Sequence, residues 1–198
     1  MASDTRVRLI RTTGRLLRRQ GYAATGLNQV MAEAEAPKGS MYFHFPGGKE
    51  ELAAAALDNF AERVSAYTRR VLDESGSVRE AVVRFVDDHA TRLEKTDFAE
   101  GCAVATVAVE SLPGQDELTA ATGRALTLWV DDFAASLQAE GHDPEAAHRL
   151  ATLVVTVIEG GIVMAKGRRS VEPLLASRDA LLPLFTPPAG PASDSSGP

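Results

Sequence analysis

Apolar residues recur along this chain at helical spacing. Between Thr5 and Gln20, Leu9, Ile10, Leu16 and Leu17 form a narrow stripe on a surface otherwise set with arginines, which predicts an amphipathic helix closed by Gly21. Leu27, Val30, Met31 and Ala34 then share one face for about two turns, with Thr25 standing where an N-cap belongs. Pro37 disfavours helical geometry at Ala36 and suits the first turn of a new helix, so a second short helix is expected over Lys38–Phe45. Two short helices joined by a tight turn behind a longer one form a helix-turn-helix, whose second short helix enters the major groove of DNA.

Pro46-Gly47-Gly48 ends that unit, and a long Ala-rich helix is predicted over Lys49–Asp73 with Leu52, Leu57, Phe60, Val64, Tyr67 and Val71 as its apolar set. Further helices are expected at Val78–Glu94, Ala103–Ser111, Gln115–Ala139, Pro144–Lys166 and Val171–Leu182, punctuated by Gly, Pro and Asp. The stretch Thr186–Pro198 is too rich in Pro, Ser and Gly to bury a core and reads as a disordered tail. The expected architecture is all-α: a helix-turn-helix head over 1–48, a helical body over 49–185, and the tail over 186–198.

Composition changes this picture in two places. The net charge of −6 argues against nucleic acid until it is divided: residues 1–49 hold eight Lys/Arg against three acids, a balance of +5, which leaves −11 for the rest. A basic head on an acidic body suits a protein of which one end approaches phosphates, although a solvated basic helix face explains the arginines of the first helix about as well. The single cysteine, Cys102, excludes an internal disulfide and a CxxC metal site and fits a reducing interior. The N-terminus has no uninterrupted apolar run, and the most apolar stretch, Leu150 to Ala165, is short and carries Glu159, so no export signal or membrane span is expected and a cytoplasmic location is.

On a helical wheel of the second short helix, Gly39, Ser40, Phe43 and His44 fall on one side, Met41 and Phe45 point away, and Lys38 and Tyr42 lie on the flanks. The outward set suits nucleic acid. Lys38 can pair with phosphate or guanine, Ser40 can bond a phosphate or base edge, Tyr42 and His44 can donate to phosphate oxygens, and Gly39 lets the backbone come close.

The runs Gly21-Tyr22-Ala23-Ala24-Thr25, Pro37-Lys38-Gly39-Ser40-Met41-Tyr42-Phe43-His44-Phe45 and Lys49-Glu50-Glu51-Leu52 together resemble the signature of the tetracycline-repressor (TetR) family. The resemblance covers about the first quarter of the chain, with several residue types agreeing at fixed offsets. It implies that Tyr42 and His44 contact the DNA backbone, that Lys38, Gly39 and Ser40 open the recognition helix, that Thr25 and Lys49 hold flanking phosphates, and that Asn28 adds a further contact. Pro46-Gly47-Gly48-Lys49 and Gly101-Cys102-Ala103-Val104 resemble the branch of lincomycin-resistance regulators, often linked to drug-efflux genes. One departure is Glu35, where the family carries Gly; if the turn needs a positive φ there, a non-Gly residue costs about 1–2 kcal/mol.

The same resemblance implies a ligand-responsive repressor that binds a palindromic operator as a homodimer and is released by an aromatic or lipophilic effector. Leu153, Val154, Val157, Ile158, Gly161 and Ile162 are the expected dimer seam, with plain core as a nearly equal alternative from pattern alone. Phe85, His89, Cys102, Trp129 and Phe133 are candidates for an effector pocket, each taken singly being more often core. No HExxH, GxSxG or P-loop occurs, and His142 and His148 are six apart, off a common helix face, so no catalytic residue, metal or cofactor is expected. The competing reading is a helical ligand- or protein-binding dimer without DNA recognition, which Glu35 alone favours.

Overall fold

A computed structural model describes residues 2–37, 39–111 and 113–185; Lys38 and the expected tail lie outside the described residues. The described residues form an all-α protein without strands. The helices are α1 (Ala2–Ala24), α2 (Leu27–Glu33), α3 (Ser40–His44), α4 (Lys49–Glu74), α5 (Val78–Lys95), α6 (Ala103–Glu110), α7 (Asp116–Ala139), α8 (Pro144–Arg168) and α9 (Glu172–Leu181), closed by a 3-10 turn over Leu182–Phe185.

Local chemistry sets several of these boundaries. The Ser77 hydroxyl accepts from the Glu80 amide at 3.2 Å, and Asp143 accepts from the Glu145 and Ala146 amides at 3.1 and 3.0 Å, each satisfying N–H groups that a helix start leaves orphaned. Pro144 follows Asp143 in the first turn, where its missing N–H costs nothing. The expected N-cap Thr25 is not one: Gly26 occupies the cap of α2 without a side-chain bond, because the Thr25 hydroxyl turns back to donate to the Gly21 carbonyl at 2.6 Å.

Two apolar cores divide the molecule. The smaller gathers Leu9, Ile10 and Leu16 of α1, Val30 of α2, Met41 and Phe45 of the α3 segment and Leu52 of α4. The larger takes Leu17 from α1 and runs through α4 to α9, including Phe85, Trp129, Phe133 and Ile158. Helices α1 and α4 therefore belong to both, and they pack on each other. In the body α4 lies against α7, α7 against α8, and α8 against α9.

By length and composition α8 is also apolar enough to cross a bilayer, among the described residues. Its place between α7 and α9 accounts for that composition: Ala147, Ala151, Val154, Ile158 and Ala165 are sealed in the body core. Gly161 meets Leu174 of α9 so closely that a Cβ there would stand 2.7 Å from its Cδ1, so the small residue sets how near α8 and α9 come.

Candidate nucleic-acid interface and effector cavity

The head presents α3 as a short helix with one sealed side and one open side. Met41 and Phe45 are buried in the small core, while Tyr42 and Phe43 are 63% and 77% exposed, an unusual outlay of aromatic surface that an internal role does not explain. His44 is half-buried with its ring edge-on to Phe43. Gly39 stands exposed ahead of the helix, and the Ser40 hydroxyl donates to the Pro37 carbonyl at 2.7 Å, which fastens the turn. Asn28 is exposed on α2.

Two residues expected as phosphate contacts are turned elsewhere. Thr25 is 2% exposed with its hydroxyl committed to Gly21. The Lys49 ammonium lies 4.2 Å over the Tyr22 ring and 3.4 Å from the Ala23 carbonyl, and partial burial draws its pKa down. Tertiary packing supplied partners for both that the sequence does not disclose, and Lys49 ties the start of α4 to the end of α1.

The turn between α2 and α3 contains the strained position expected from the departure at Glu35. Glu35 has φ 49, its N–H donates to Ala32 at 3.2 Å, and the Ala36 N–H reaches back to Met31 at 3.0 Å, the paired bonds of a left-handed helix ending that usually employs glycine. Arg8 grips this ending from α1, donating through Nε to the Ala34 carbonyl at 2.9 Å and through Nη2 to the Glu35 carbonyl at 3.3 Å.

Head and body are joined through α6. At its near end Arg18 donates to the Gly101 carbonyl at 3.1 Å, accepts from the Gly101 N–H at 3.0 Å and pairs with Glu100 at 3.0 Å. At its far end the Glu110 carboxylate accepts from the Tyr22 and Ala23 amides at 2.5 and 3.1 Å. Those amides are turned toward it because Gly21 breaks α1 with φ 75, and a Cβ at Gly21 would collide with the carboxylate at 2.0 Å.

Between α1, α4, α5, α7 and α8 lies a cavity of about 50 Å³. Phe85, His89, Cys102, Trp129 and Phe133 all line it, together with Phe60 of α4, Arg18 of α1 and Glu159 of α8. His89 stacks on Phe85 at 4.3 Å and its Nδ1 lies 2.8 Å from the Phe85 carbonyl; burial takes its pKa down to about 4, so the ring is neutral near pH 7. The Trp129 indole donates to the Ala61 carbonyl at 3.1 Å, leaving its ring edge-on to Phe60. Burial pushes the Cys102 thiol well above its usual range, which makes it a poor nucleophile. Burial likewise raises Glu159 to about 7, and its Oε2 is sealed from water without a hydrogen-bond partner among the described residues.

Glu159, Arg18 and the Glu110 latch escape sequence reasoning. For Glu159 a signal existed, since it is the one acid in the run from Leu150 to Ala165. The latch rests on residues 88 apart in the chain and leaves no local trace.

The expected dimer seam divides between two faces of α8. Val154, Ile158, Gly161 and Ile162 point into the body and are not available to a partner, because α7 and α9 cover them. Leu153 is 39% exposed and Val157 is half-buried. The outward face instead carries Leu153, Thr156, Gly160, Val163 and Met164, with Val163 at 61% and Met164 at 52% exposure.

Comparison with known proteins matches both halves of the chain. Residues 9–56 match a family described as bacterial regulatory proteins of the tetR family, and residues 78–180 match the C-terminal domain of LmrA/YxaF-like transcriptional regulators. The regulator YxaF of Bacillus subtilis is 36% identical over 172 residues, covering 87% of this chain and 90% of its own. LmrA of the same organism is 32% identical over 172 residues, covering 87% and 92%. The regulator CifR, solved in complex with 26-base-pair operator DNA, superposes with a TM-score of 0.74 at 27% identity over 90% of this chain and 95% of that one. NemR of Escherichia coli in its reduced form superposes with a TM-score of 0.78 over 94% and 100%, and at 22% identity shares the fold.

Proposed function

The chain belongs to the TetR family of transcriptional regulators, which bind operator DNA, and from that premise we propose that it is an effector-released repressor working as a homodimer in the cytoplasm. The head over 1–48 reads DNA, and the body over 49–185 dimerises and holds the effector. Its target is a near-palindromic operator that receives two α3 helices in successive major grooves, about 34–36 Å apart. Tyr42, Phe43 and His44 with Gly39, Ser40, Asn28 and Lys38 form the reading face, on which aromatic edges meet sugar and thymine methyl groups while hydroxyl and imidazole donors meet phosphates. The likeness to LmrA/YxaF-like regulators supports efflux or resistance genes as the regulon.

One observation carries the effector reading: Arg18, a residue of the head's long helix, forms part of the wall of the body's aromatic cavity. The cavity holds about 50 Å³. Ligand pockets of drug size run to about 300–1,000 Å³, so an effector enters only by pushing the walls apart. Glu100 and Gly101 at the mouth are bonded to Arg18, so displacement of that wall pulls on α1 and shifts the head. Such coupling is typically about 1–3 kcal/mol, enough to release an operator.

The test is titration of the protein against labelled DNA from upstream of its own gene, with scrambled competitor, across a range of salt. Binding is expected to be specific and steep in salt, and Tyr42→Ala should weaken it by about tenfold through loss of one phosphate bond and its stacking surface. Equal, weak binding to cognate and scrambled DNA would instead favour the helical dimer that has lost DNA recognition.

A further inference from the structure

Beside the aromatic cavity a second, larger space of about 240 Å³ forms a groove between α1, α4 and α5. Five arginines line it: Arg11, Arg15 and Arg18 from α1, Arg63 from α4 and Arg92 from α5. Two have acidic partners, Arg15 with Glu33 at 2.8 Å and Arg18 with Glu100 at 3.0 Å. Among the described residues no ion pair or hydrogen bond ends on the guanidinium of Arg11, Arg63 or Arg92. Burial holds Arg18 below its ordinary pKa, and the charges of Arg92 and Arg63 press in the same direction against the pull of Glu100. Gathering like charges in one concavity destabilises the fold unless an anion relieves them, and this chain, at −6 overall, has no general excess of basic residues to spread.

Groove and cavity are neighbours across a shared wall. Arg18, Phe60, Val64, His89 and Arg92 belong to the walls of both, whereas Phe85, Trp129, Phe133 and Glu159 line the cavity alone. The two spaces are therefore apolar and aromatic on one side of that wall and cationic on the other. His89 at the junction is uncharged near neutral pH, so the positive field is that of the guanidinium groups, offset by Glu100 at the rim. Guanidinium forks bind carboxylate and phosphate through paired N–H donors, a geometry an ammonium does not provide.

We propose that the effector is an amphiphilic anion whose apolar body enters the aromatic cavity and whose carboxylate or phosphate head rests on Arg63 and Arg92 at the groove. This rests on the reading of the cavity as the effector site and narrows it to one ligand class. It also gives the release signal a second handle, because a head group held by Arg63 and Arg92 draws α4 and α5 toward the arginines of α1.

A series of compounds with eight-carbon chains and different heads tests it: octyl phosphate, octanoate, octanol and octyltrimethylammonium, each below its micelle concentration, with inorganic phosphate as the chainless control. Trp129 is the one tryptophan of the chain and lies in the cavity wall, so its fluorescence reports binding. Octyl phosphate should bind about tenfold or more tightly than octanol, as one or two charge-assisted bonds would give. Octanoate should fall between them, octyltrimethylammonium should bind most weakly, and phosphate alone should bind poorly. In the Arg63→Ala variant, which alters the groove and not the cavity wall, octyl phosphate should lose most of its advantage over octanol, with octanol itself unchanged.

Equal affinities for octanol and octyl phosphate, or a parallel loss of both in the variant, overturn the anionic head while leaving the cavity as effector site. Failure of every compound, octanol included, removes the cavity reading and the inference with it. A variant that binds the series like the parent but binds operator DNA more weakly, with a shallower salt dependence, assigns the groove to DNA phosphates and overturns the proposal.

Discussion

Burial in the cavity wall governs how the Glu159 carboxyl responds to pH. Burial raises this group from 4.5 to about 7, so between those values the folded chain keeps a proton that the unfolded chain gives up. Stability contributed by Glu159 therefore falls as pH rises across that window, by about 3 kcal/mol in all. His89, another residue of the cavity wall, works in the opposite sense. Burial lowers it from 6.5 to about 4, so from about 4 to 6.5 the unfolded chain holds the extra proton and stability rises with pH. The two slopes largely cancel where they overlap. Denaturant titration between pH 4.5 and 7.5 should accordingly show Glu159→Gln becoming more stable relative to the parent as pH rises, and His89→Phe relatively less so. Parallel pH profiles for parent and both variants would show that neither group titrates as its burial implies.

At the scale of elements, the two short helices of the head meet at a turn that the chain holds at a cost. The left-handed φ of 49 at Glu35 would suit glycine, and without it the ending relies on Arg8, whose two bonds to the Ala34 and Glu35 carbonyls close the last turn of α2. Glu35→Gly should stabilise the protein by about 1 kcal/mol and raise Tm by about 2–4 °C in a calorimetric scan. It should also tighten operator binding at low salt, since an acid beside the reading helix is removed. An unchanged Tm would mean that Arg8 already offsets the strain. The same scale explains how α6 joins the two halves: Arg18 holds its entrance, Glu110 its exit, and Gly21 supplies the break in α1 that points two amides at the carboxylate.

At the scale of the whole molecule, the outer face of α8 is an apolar surface without a covering element among the described residues. Leu153, Thr156, Gly160, Val163 and Met164 follow one another at helical spacing along the outside of α8, and the exposure of Val163 and Met164 is more than a lone subunit would leave to water without reason. This is the face we assign to the homodimer. Val163→Asp should yield a monomer in sedimentation velocity with its helical signal intact, and operator affinity should fall steeply, because one reading helix then binds without the second. A variant that stays dimeric would place the seam on another face.

Much of this was already legible along the chain. The 3.6-residue recurrence marked the long helices to within a few residues, and the wheel of the second short helix separated Met41 and Phe45, which are buried, from Tyr42 and Phe43, which are not. The family was readable in the head because its residue types sit at short fixed offsets. Periodicity reports which residues share a face of their own helix, but it does not report what covers that face. A helix as broadly apolar as α8 satisfies several packings equally, and only the positions of α7 and α9 turned Val154 and Ile158 inward and left Val163 outside. Phe85, His89, Cys102, Trp129 and Phe133 were visible as ring- or sulfur-bearing core positions, and packing between helices distant in sequence brought them to one cavity beside the arginines of α1, α4 and α5. Thr25 and Lys49 found intramolecular partners by the same means, since a hydroxyl or an ammonium bonds whatever the fold brings within about 3 Å, and that is a property of tertiary contacts alone.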